Sequence, residues 1–127
     1  MTARQRIEWL NSSWYGYLLV TGIGAGIFGG RSFLWAILGT ACSLLVAFTL
    51  GRGLLNRSSL TRAVLLVISM LGMALGAMGL LYQTFVVVAS FSLMAGLAAV
   101  MTILQVMMHL RTYRVLKDSS VKAYISA

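Results

Sequence analysis

Apolar residues fill four long stretches of the chain, and short polar or basic segments separate or flank them. The stretches cover about residues 13–30, 32–50, 63–81 and 85–108. A run of about 20 apolar residues is long enough to cross the hydrocarbon core of a bilayer as a helix. The pattern therefore predicts an all-α fold, a single transmembrane domain over residues 1–127 in which two helical hairpins form a four-helix bundle.

The last two stretches form one apolar segment, since no charged residue lies between Ala63 and Met108. A single helix over this segment would be about 70 Å long, against a hydrocarbon core of about 30 Å. The chain must therefore turn back within it. The least apolar point near its middle is Tyr82–Thr84, and we predict a tight turn there. Because the chain has no proline, no helix is expected to have a proline kink.

The segments outside the four stretches are polar or amphipathic. Ile7 and Leu10 recur at helical spacing within residues 1–11, a pattern typical of a short helix lying at the membrane interface. The segment Asn11–Ser13 offers side-chain oxygens that can cap the helix that follows. The tail over residues 109–127 is polar, basic and partly amphipathic.

The composition is typical of a membrane protein. Hydrophobic residues make up 60% of the chain and charged residues 9%, with a mean hydropathy of +0.92, whereas a soluble domain has about 25% charged residues. A net charge of +8 would suggest nucleic acid as the partner of a soluble protein. Here the basic residues flank apolar runs, where they attract anionic lipid head groups. We therefore expect membrane lipids as partners and no nucleic acid.

Positive charge is distributed unequally between the two ends of the predicted helices. Nine of the ten Lys and Arg residues lie in the N-terminal segment, the second loop and the tail, and only Arg31 lies in the first loop. Because Lys and Arg favour the cytoplasmic side, we expect a multi-pass protein with both termini on the cytoplasmic (or matrix or stromal) side. The residues expected to contact lipid head groups or to dock on a partner are Arg52, Arg57, Arg62, Arg111, Arg114, Lys117 and Lys122.

Small residues recur about four positions apart on the predicted helices, which allows close approach between helices in lipid. Three interpretations are open: packing within the bundle, contact with a partner subunit or a second copy of the chain, and close approach of a ligand. A G-x-G motif within the first stretch does not predict a dinucleotide site, because no strand precedes it. The predicted interface residues are Gly22, Gly26, Gly30, Gly39, Ser43, Gly51, Gly72, Gly76 and Gly96.

Groups that could carry chemistry are few. The two acidic residues, Glu8 and Asp118, lie outside the apolar stretches, so no membrane-embedded carboxylate is available for ion coupling. Cys42 and the methionines are expected to be packing residues. The sequence has no Ser-His-Asp, paired-carboxylate or Cys-x-x-Cys arrangement. We therefore expect no enzymatic activity, no catalytic residue, no cofactor site and no metal site.

Two polar residues are candidates for a polar interior. Gln105 lies one helical turn before His109, and His109 directly follows the last apolar stretch. The Gln105 side chain can hydrogen-bond across the bundle or to a partner. One histidine provides too few ligands for haem or a metal unless another chain contributes.

Three classes of function follow, and the first is the leading hypothesis. The chain is expected to be a non-catalytic accessory or scaffold subunit of a larger membrane complex. The alternative is a channel or carrier for a neutral solute, built from parallel copies. The third class is a membrane enzyme or a holder of haem, quinone or pigment. The hydroxyl and amide groups expected to line a conduit are Thr21, Thr40, Ser43, Thr49, Ser69, Ser90, Ser92, Thr102 and Gln105.

Overall fold

A computed structural model describes residues 1–29 and 32–127. Within these residues the chain forms five α-helices and no strand, so the all-α prediction is confirmed. Gly30 and Arg31, a predicted interface glycine and the one basic residue of the first loop, lie outside the described residues. The helices are α1 (Ala3–Phe28), α2 (Phe33–Leu55), α3 (Ser59–Ser90), α4 (Leu93–Lys117) and α5 (Ser119–Ser126).

Three of these helices, α2, α3 and α4, are long and apolar enough to cross a membrane. The prediction of membrane-spanning helices is therefore supported for three of the four stretches. The fourth predicted span belongs to α1, which has sufficient length but falls short of the other three in hydropathy. Its first half carries Arg4, Arg6 and Glu8, and its second half contains several glycines.

The first helix begins earlier than the sequence suggested. The side-chain oxygen of Thr2 accepts a hydrogen bond from the backbone N–H of Gln5, and the Gln5 side chain accepts one from the backbone N–H of Thr2. This capping box starts a helix that continues without a break to Phe28. The prediction that Asn11–Ser13 caps a separate helix is wrong, because nothing in this segment interrupts the backbone ladder.

A tight turn connects α2 to α3 and ends α2 with a left-handed residue. Arg57 has a φ of 62°, and its N–H donates to the carbonyl oxygen of Leu54 at 3.0 Å. The N–H of Ser58 donates to the carbonyl oxygen of Gly53, also at 3.0 Å. This is the Schellman pattern, in which glycine usually holds the left-handed position. Ser58 then accepts from the N–H of Thr61 and so caps α3.

The turn between α3 and α4 lies elsewhere than predicted. The predicted turn at Tyr82–Thr84 is wrong, because α3 continues through these residues. The break lies at Phe91, which has a φ of 50°, and at Ser92, which accepts from the N–H of Ala95. Polar side chains alone do not end a helix, since they remove no backbone donor. The boundaries that we predicted between the last two spans are therefore also wrong.

The chain divides into two compact units. The first comprises Met1–Arg62 and Lys117–Ala127, and the second comprises Ala63–Leu116. In the first unit, α1 packs against both α2 and α5. In the second unit, α3 and α4 run antiparallel. The predicted basic tail therefore contributes to both units: it forms the end of α4 and the whole of α5.

Buried side chains are concentrated in a few places. In the first unit, the buried apolar residues come from the start of α1, the end of α2 and α5. In contrast, the apolar window of α2 is 0% buried, and those of α3 and α4 are each 11% buried. Such long helices with exposed apolar sides are expected of membrane spans rather than of a water-soluble core. The buried apolar residues of the first unit are Ile7, Leu10, Leu54, Val121 and Ile125.

Candidate functional site

Glycines bring α1 and α2 into close contact at two levels. A side chain at Gly22 would overlap the Thr40 side chain, and a Cβ at Gly51 would lie 2.7 Å from Cγ of Asn11. Because real Cβ atoms essentially never approach other atoms this closely, both positions require glycine in this packing. The partners Thr40 and Asn11 also show that α1 and α2 are antiparallel. Gly22 and Gly51 therefore serve packing within the chain.

A groove runs between α1 and α2 near the end at which they are connected. It has a volume of about 350 Å³. Gly26 of α1 is not among the residues that line the groove, and a Cβ there would be in ordinary contact with Phe33, 3.5 Å away. On the α2 side of the groove, a Cβ at Gly39 would have no neighbouring atom within 4 Å among the described residues. Leu18, Thr21, Gly22, Ala25, Gly29, Trp35, Ala36, Gly39, Thr40 and Ser43 line the groove.

In the second unit, glycines of α3 face larger side chains of α4. A side chain at Gly72 would overlap the imidazole ring of His109, and a Cβ at Gly76 would lie 2.5 Å from Cγ2 of Val106. Moving one turn along α3 thus corresponds to moving one turn back along α4, which establishes the antiparallel register. In contrast, a Cβ at Gly96 would have no described atom within 4 Å. Gly72 and Gly76 therefore pack within the hairpin, and the Gly96 position is open.

Two buried hydroxyl residues lie one helical turn from the contact between Gly72 and His109, one on α3 and one on α4. Ser69 is 1% exposed and precedes Gly72 by one turn, and Thr112 is 2% exposed and follows His109 by one turn. The Ser69 hydroxyl donates to the carbonyl oxygen of Leu65 at 2.7 Å. The Thr112 hydroxyl donates to the carbonyl oxygen of its own helix one turn earlier, at 2.9 Å. Each hydroxyl therefore donates its hydrogen within its own helix.

His109 and Gln105, the two predicted interior residues, and a further amide, Gln83, have different surroundings. His109 is half-buried and packs on Gly72, whereas Gln105 is half-buried one turn earlier on α4. Gln83 was not predicted to be an interior residue. Its Oε1 atom is buried and accepts no hydrogen bond from the described residues.

Most hydroxyls of the proposed conduit donate to their own helices. Each of seven donates to a backbone carbonyl one helical turn earlier, at 2.7–2.9 Å. This back-bonding uses the single hydroxyl hydrogen. Donors for passing solutes are therefore scarce along these helices. The seven are Thr21, Thr40, Ser43, Thr49, Ser69, Ser90 and Thr102.

The buried apolar residues of the first unit form what we call the terminal junction: Ile7, Leu10, Leu54, Val121 and Ile125. All five are at most 6% exposed. Burial of each such side chain stabilises the folded chain by about 2 kcal/mol. Since α1 and α5 supply four of the five, this burial attaches the end of the chain to its beginning.

Three polar contacts surround the terminal junction. Nη1 of Arg6 lies 2.7 Å from Oδ2 of Asp118, and the Tyr124 hydroxyl donates to the carbonyl oxygen of Leu55 at 2.8 Å. The Arg57 guanidinium lies over the Tyr124 ring. An ion pair that water can reach contributes little to stability. The apolar burial therefore provides most of the stability, and the polar contacts fix the position of α5.

Asp118 is the N-cap of α5, a role that the sequence analysis missed although the signal Asp-Ser-Ser was visible. The Ser120 hydroxyl and the Ser120 backbone N–H both donate to Oδ1 of Asp118. These hydrogen bonds, and then the positive charge of Arg6, hold the pKa of the Asp118 carboxyl below its ordinary value. The carboxylate therefore stays charged at neutral pH and supports both the cap and the ion pair.

The acidic residues are both paired with arginines of α1. Glu8 contacts Arg4 at 2.9 Å, and Asp118 contacts Arg6. With ten basic and only two acidic side chains, the chain cannot neutralise its own positive charge. Of the predicted lipid- or partner-contacting residues, Arg57, Arg52, Arg114, Lys117 and Lys122 are exposed, and Arg62 and Arg111 are half-buried.

Comparison with models of protein families, with curated proteins and with solved structures finds no match to this chain. Its function must therefore be inferred from its own geometry. Within residues 1–29 and 32–127, no three His, Cys, Asp or Glu side chains lie close enough together to hold a metal ion.

Proposed function

We propose that the protein is an accessory or scaffold subunit of a larger membrane complex and that it binds a partner helix in the groove between α1 and α2. The observation that carries this proposal is the open position at Gly39. The glycines Gly22 and Gly51 are used by packing within the chain, whereas Gly39 lines a groove of about 350 Å³, and a Cβ there would have no atom of the described residues within 4 Å. A helix from another subunit would complete the packing that the chain leaves unfinished.

The physical basis is the way in which helices associate in lipid. Lipid tails are as apolar as side chains, so association depends on close packing, and small residues permit it. Gly39 and Ser43 lie one turn apart on α2, and both line the groove. The Ser43 hydroxyl donates to the carbonyl oxygen of Gly39, so its hydrogen is used within α2 and the surface that these two residues offer to a partner is compact.

The proposal includes four spans with both termini on the cytoplasmic side. Since α1 packs along α2, a membrane that α2 crosses would also surround the second half of α1. The two hairpin ends, near Ser32 and at Phe91, carry only Arg31 as a basic residue. Nine of the ten Lys and Arg residues lie toward the other ends. The tendency of Lys and Arg to stay in the cytoplasm supports this orientation.

The hydroxyl geometry favours association over a conduit for a neutral solute. A conduit requires donors and acceptors that replace the hydration of the solute. Seven of the hydroxyls that we assigned to such a path donate instead to carbonyls of their own helices. Docking of a helix requires no such donors.

The test is a substitution that fills the groove, Gly39→Leu, with Gly16→Leu as the matched control. A Cβ at either position has no described neighbour within 4 Å, so both variants are expected to fold. Of these two positions, Gly39 lines the groove and Gly16 does not. We expect wild type and Gly16→Leu to migrate as a complex in native electrophoresis of gently solubilised membranes, and Gly39→Leu to migrate as the free chain.

Two results would contradict the proposal. One is a wild-type chain that runs as a lone monomer and yields no partner after gentle cross-linking. The other is a complex that survives Gly39→Leu to the same extent as Gly16→Leu. Circular dichroism of each variant in the same detergent would verify that its helices are intact.

A further inference from the structure

The two arms of the α3–α4 hairpin have apolar segments of different length. On α3, uncharged residues extend from Ala63 to Ser90, whereas on α4 they extend only from Leu93 to Met108. Gly72 lies against His109, at the end of the apolar segment of α4. Because the arms are antiparallel, residues 63–71 of α3 lie beside the part of α4 that carries Arg111 and Arg114.

This offset has a consequence in a membrane of ordinary thickness. The helix from Gly72 to Ser90 rises about 27 Å, which matches a hydrocarbon core of about 30 Å. Residues 63–71 extend about 14 Å beyond that length. Moving them into the core would also pull Arg111 and Arg114 inward, which is unfavourable. On the topology proposed above, residues 63–71 therefore project on the cytoplasmic side.

The projecting segment carries an exposed apolar stripe. Val64, Val67, Ile68 and Leu71 are 40%, 51%, 42% and 57% exposed. Their positions are i, i+3, i+4 and i+7, so they share one face of α3 over two turns. This spacing is the one by which helices dock into apolar grooves of partner proteins. Outside the hydrocarbon core, such a stripe requires a cover.

We infer that this α3 stripe (Val64, Val67, Ile68 and Leu71) docks on a cytoplasmic segment of the partner protein, one whose apolar face is flanked by acidic side chains. The inference rests on the proposed function, because it assigns a second contact to the same complex. Arg114 is exposed at the level of the stripe, and the chain has ten basic side chains against two acidic ones. If the partner were a second copy of the chain, two proteins of net charge +8 would have to associate, and like charges disfavour association. An acidic partner reverses this effect.

The experiment places a photo-activatable cross-linking amino acid at Val67 in the full chain, in its native membrane. The control places the same amino acid at Val88, which is 67% exposed on the same helix and lies within the proposed span. We expect residue 67, but not residue 88, to cross-link to a partner peptide in which an apolar stretch adjoins Asp or Glu. The yield should fall about threefold or more in high salt.

Charge variants test the acidic flank separately. Arg114 is exposed, so Arg114→Glu is expected to fold, and it should lower the cross-link yield at residue 67 about threefold or more. Arg114→Lys keeps the charge and should leave the yield within about twofold of wild type. Equal yields from the two variants would overturn the inference.

Other outcomes are also decisive. Cross-links from residue 67 to a second copy, to lipid alone, or to a partner segment without acidic residues would each overturn the inference. If the complex that depends on Gly39 still forms in those cases, the proposed function stands and only this contact is refuted. If the wild-type chain forms no complex, both proposals fall together.

Discussion

The guanidinium carbon of Arg57 lies 4.8 Å from the centroid of the Tyr124 ring, so the turn after α2 is held against α5 by a cation–π contact. Arg57 makes this contact from a left-handed backbone position, φ 62°. A non-glycine residue in this conformation costs about 1–2 kcal/mol. A cation–π contact at an exposed site stabilises the folded state by about 0.5–1 kcal/mol. The side chain of Arg57 therefore offsets only part of the strain in its backbone.

Substitution of Arg57 separates these two effects. Arg57→Ala loses the cation–π contact and keeps the strain, so it should lower the free energy of unfolding by about 0.5–1 kcal/mol. Arg57→Gly loses the same contact but relieves the strain. It should therefore be about 1 kcal/mol more stable than Arg57→Ala. Unfolding by titration with a denaturing detergent, followed by circular dichroism, measures the difference. Equal stability of the two variants would show that the left-handed conformation carries no cost.

The Asp118 carboxylate should make the docking of α5 sensitive to acid. Hydrogen bonds from Ser120 and the charge of Arg6 lower its pKa in the folded chain. A lowered pKa stabilises the folded state at pH values above the unfolded pKa of about 4, and this contribution is lost as the pH falls through the folded pKa. The protection of the amides of residues 119–126 against hydrogen exchange, relative to the intrinsic exchange rate at each pH, should therefore be constant near neutral pH and lower below about pH 4.

Asp118→Asn provides the comparison for this prediction. It keeps an N-cap oxygen but has no titrating charge, so protection of α5 against exchange should be lower than in wild type at neutral pH and should change little on acidification. Glu8→Gln is the matched control, because it removes the other ion pair of α1 without touching α5. An acid response in Asp118→Asn as large as that of wild type would assign the effect to another group.

The contact of Gly72 with His109 should be intolerant of added volume. Gly72→Ala places a methyl group against the imidazole ring and should lower the stability of the hairpin by about 1–3 kcal/mol. Gly96→Ala is the control, since its methyl group meets open space, and it should be neutral or stabilising by up to about 1 kcal/mol. Thermal unfolding in detergent compares the two.

A second substitution tests whether the His109 ring is the cause. His109→Ala removes the ring, so Gly72→Ala should cost less in that background than in wild type, with a coupling of about 0.5–3 kcal/mol. Additive effects in the double variant would indicate that the loss comes from the α3 backbone and not from this contact.

The sequence was sufficient to predict the all-α fold but not most helix boundaries, since α1, α3 and α4 each begin or end far from the predicted positions. Long apolar runs and small residues at helical spacing predicted an all-α chain, and α2 begins near the start of its predicted stretch but continues to Leu55. The turn after α3 could not be found from polarity, because Gln83 is polar yet helical, while the turn itself uses Phe91 in a left-handed conformation. Phenylalanine is among the residues least expected there.

The candidate site was predictable only in part, for a similar reason. Spacing identified glycines that allow close approach, but it could not separate Gly22 and Gly51, which are filled, from Gly39, which is open. That distinction depends on the register between helices. The register depends on where each connecting loop lies in the sequence. The ion pair of Arg6 with Asp118 joins residues 112 positions apart, and no local pattern could have predicted it.

This pairing of the first helix with the last has a consequence for biosynthesis. The first unit is interrupted in sequence by the whole of the second, since Ala63–Leu116 separates its two parts. When α1 and α2 leave the ribosome, the residues that complete their core have not yet been translated. The α3–α4 hairpin must be inserted before α5 reaches Ile7 and Leu10. Until then, Ile7 and Leu10 of the N-terminal helix lack the α5 side chains that bury them in the folded chain.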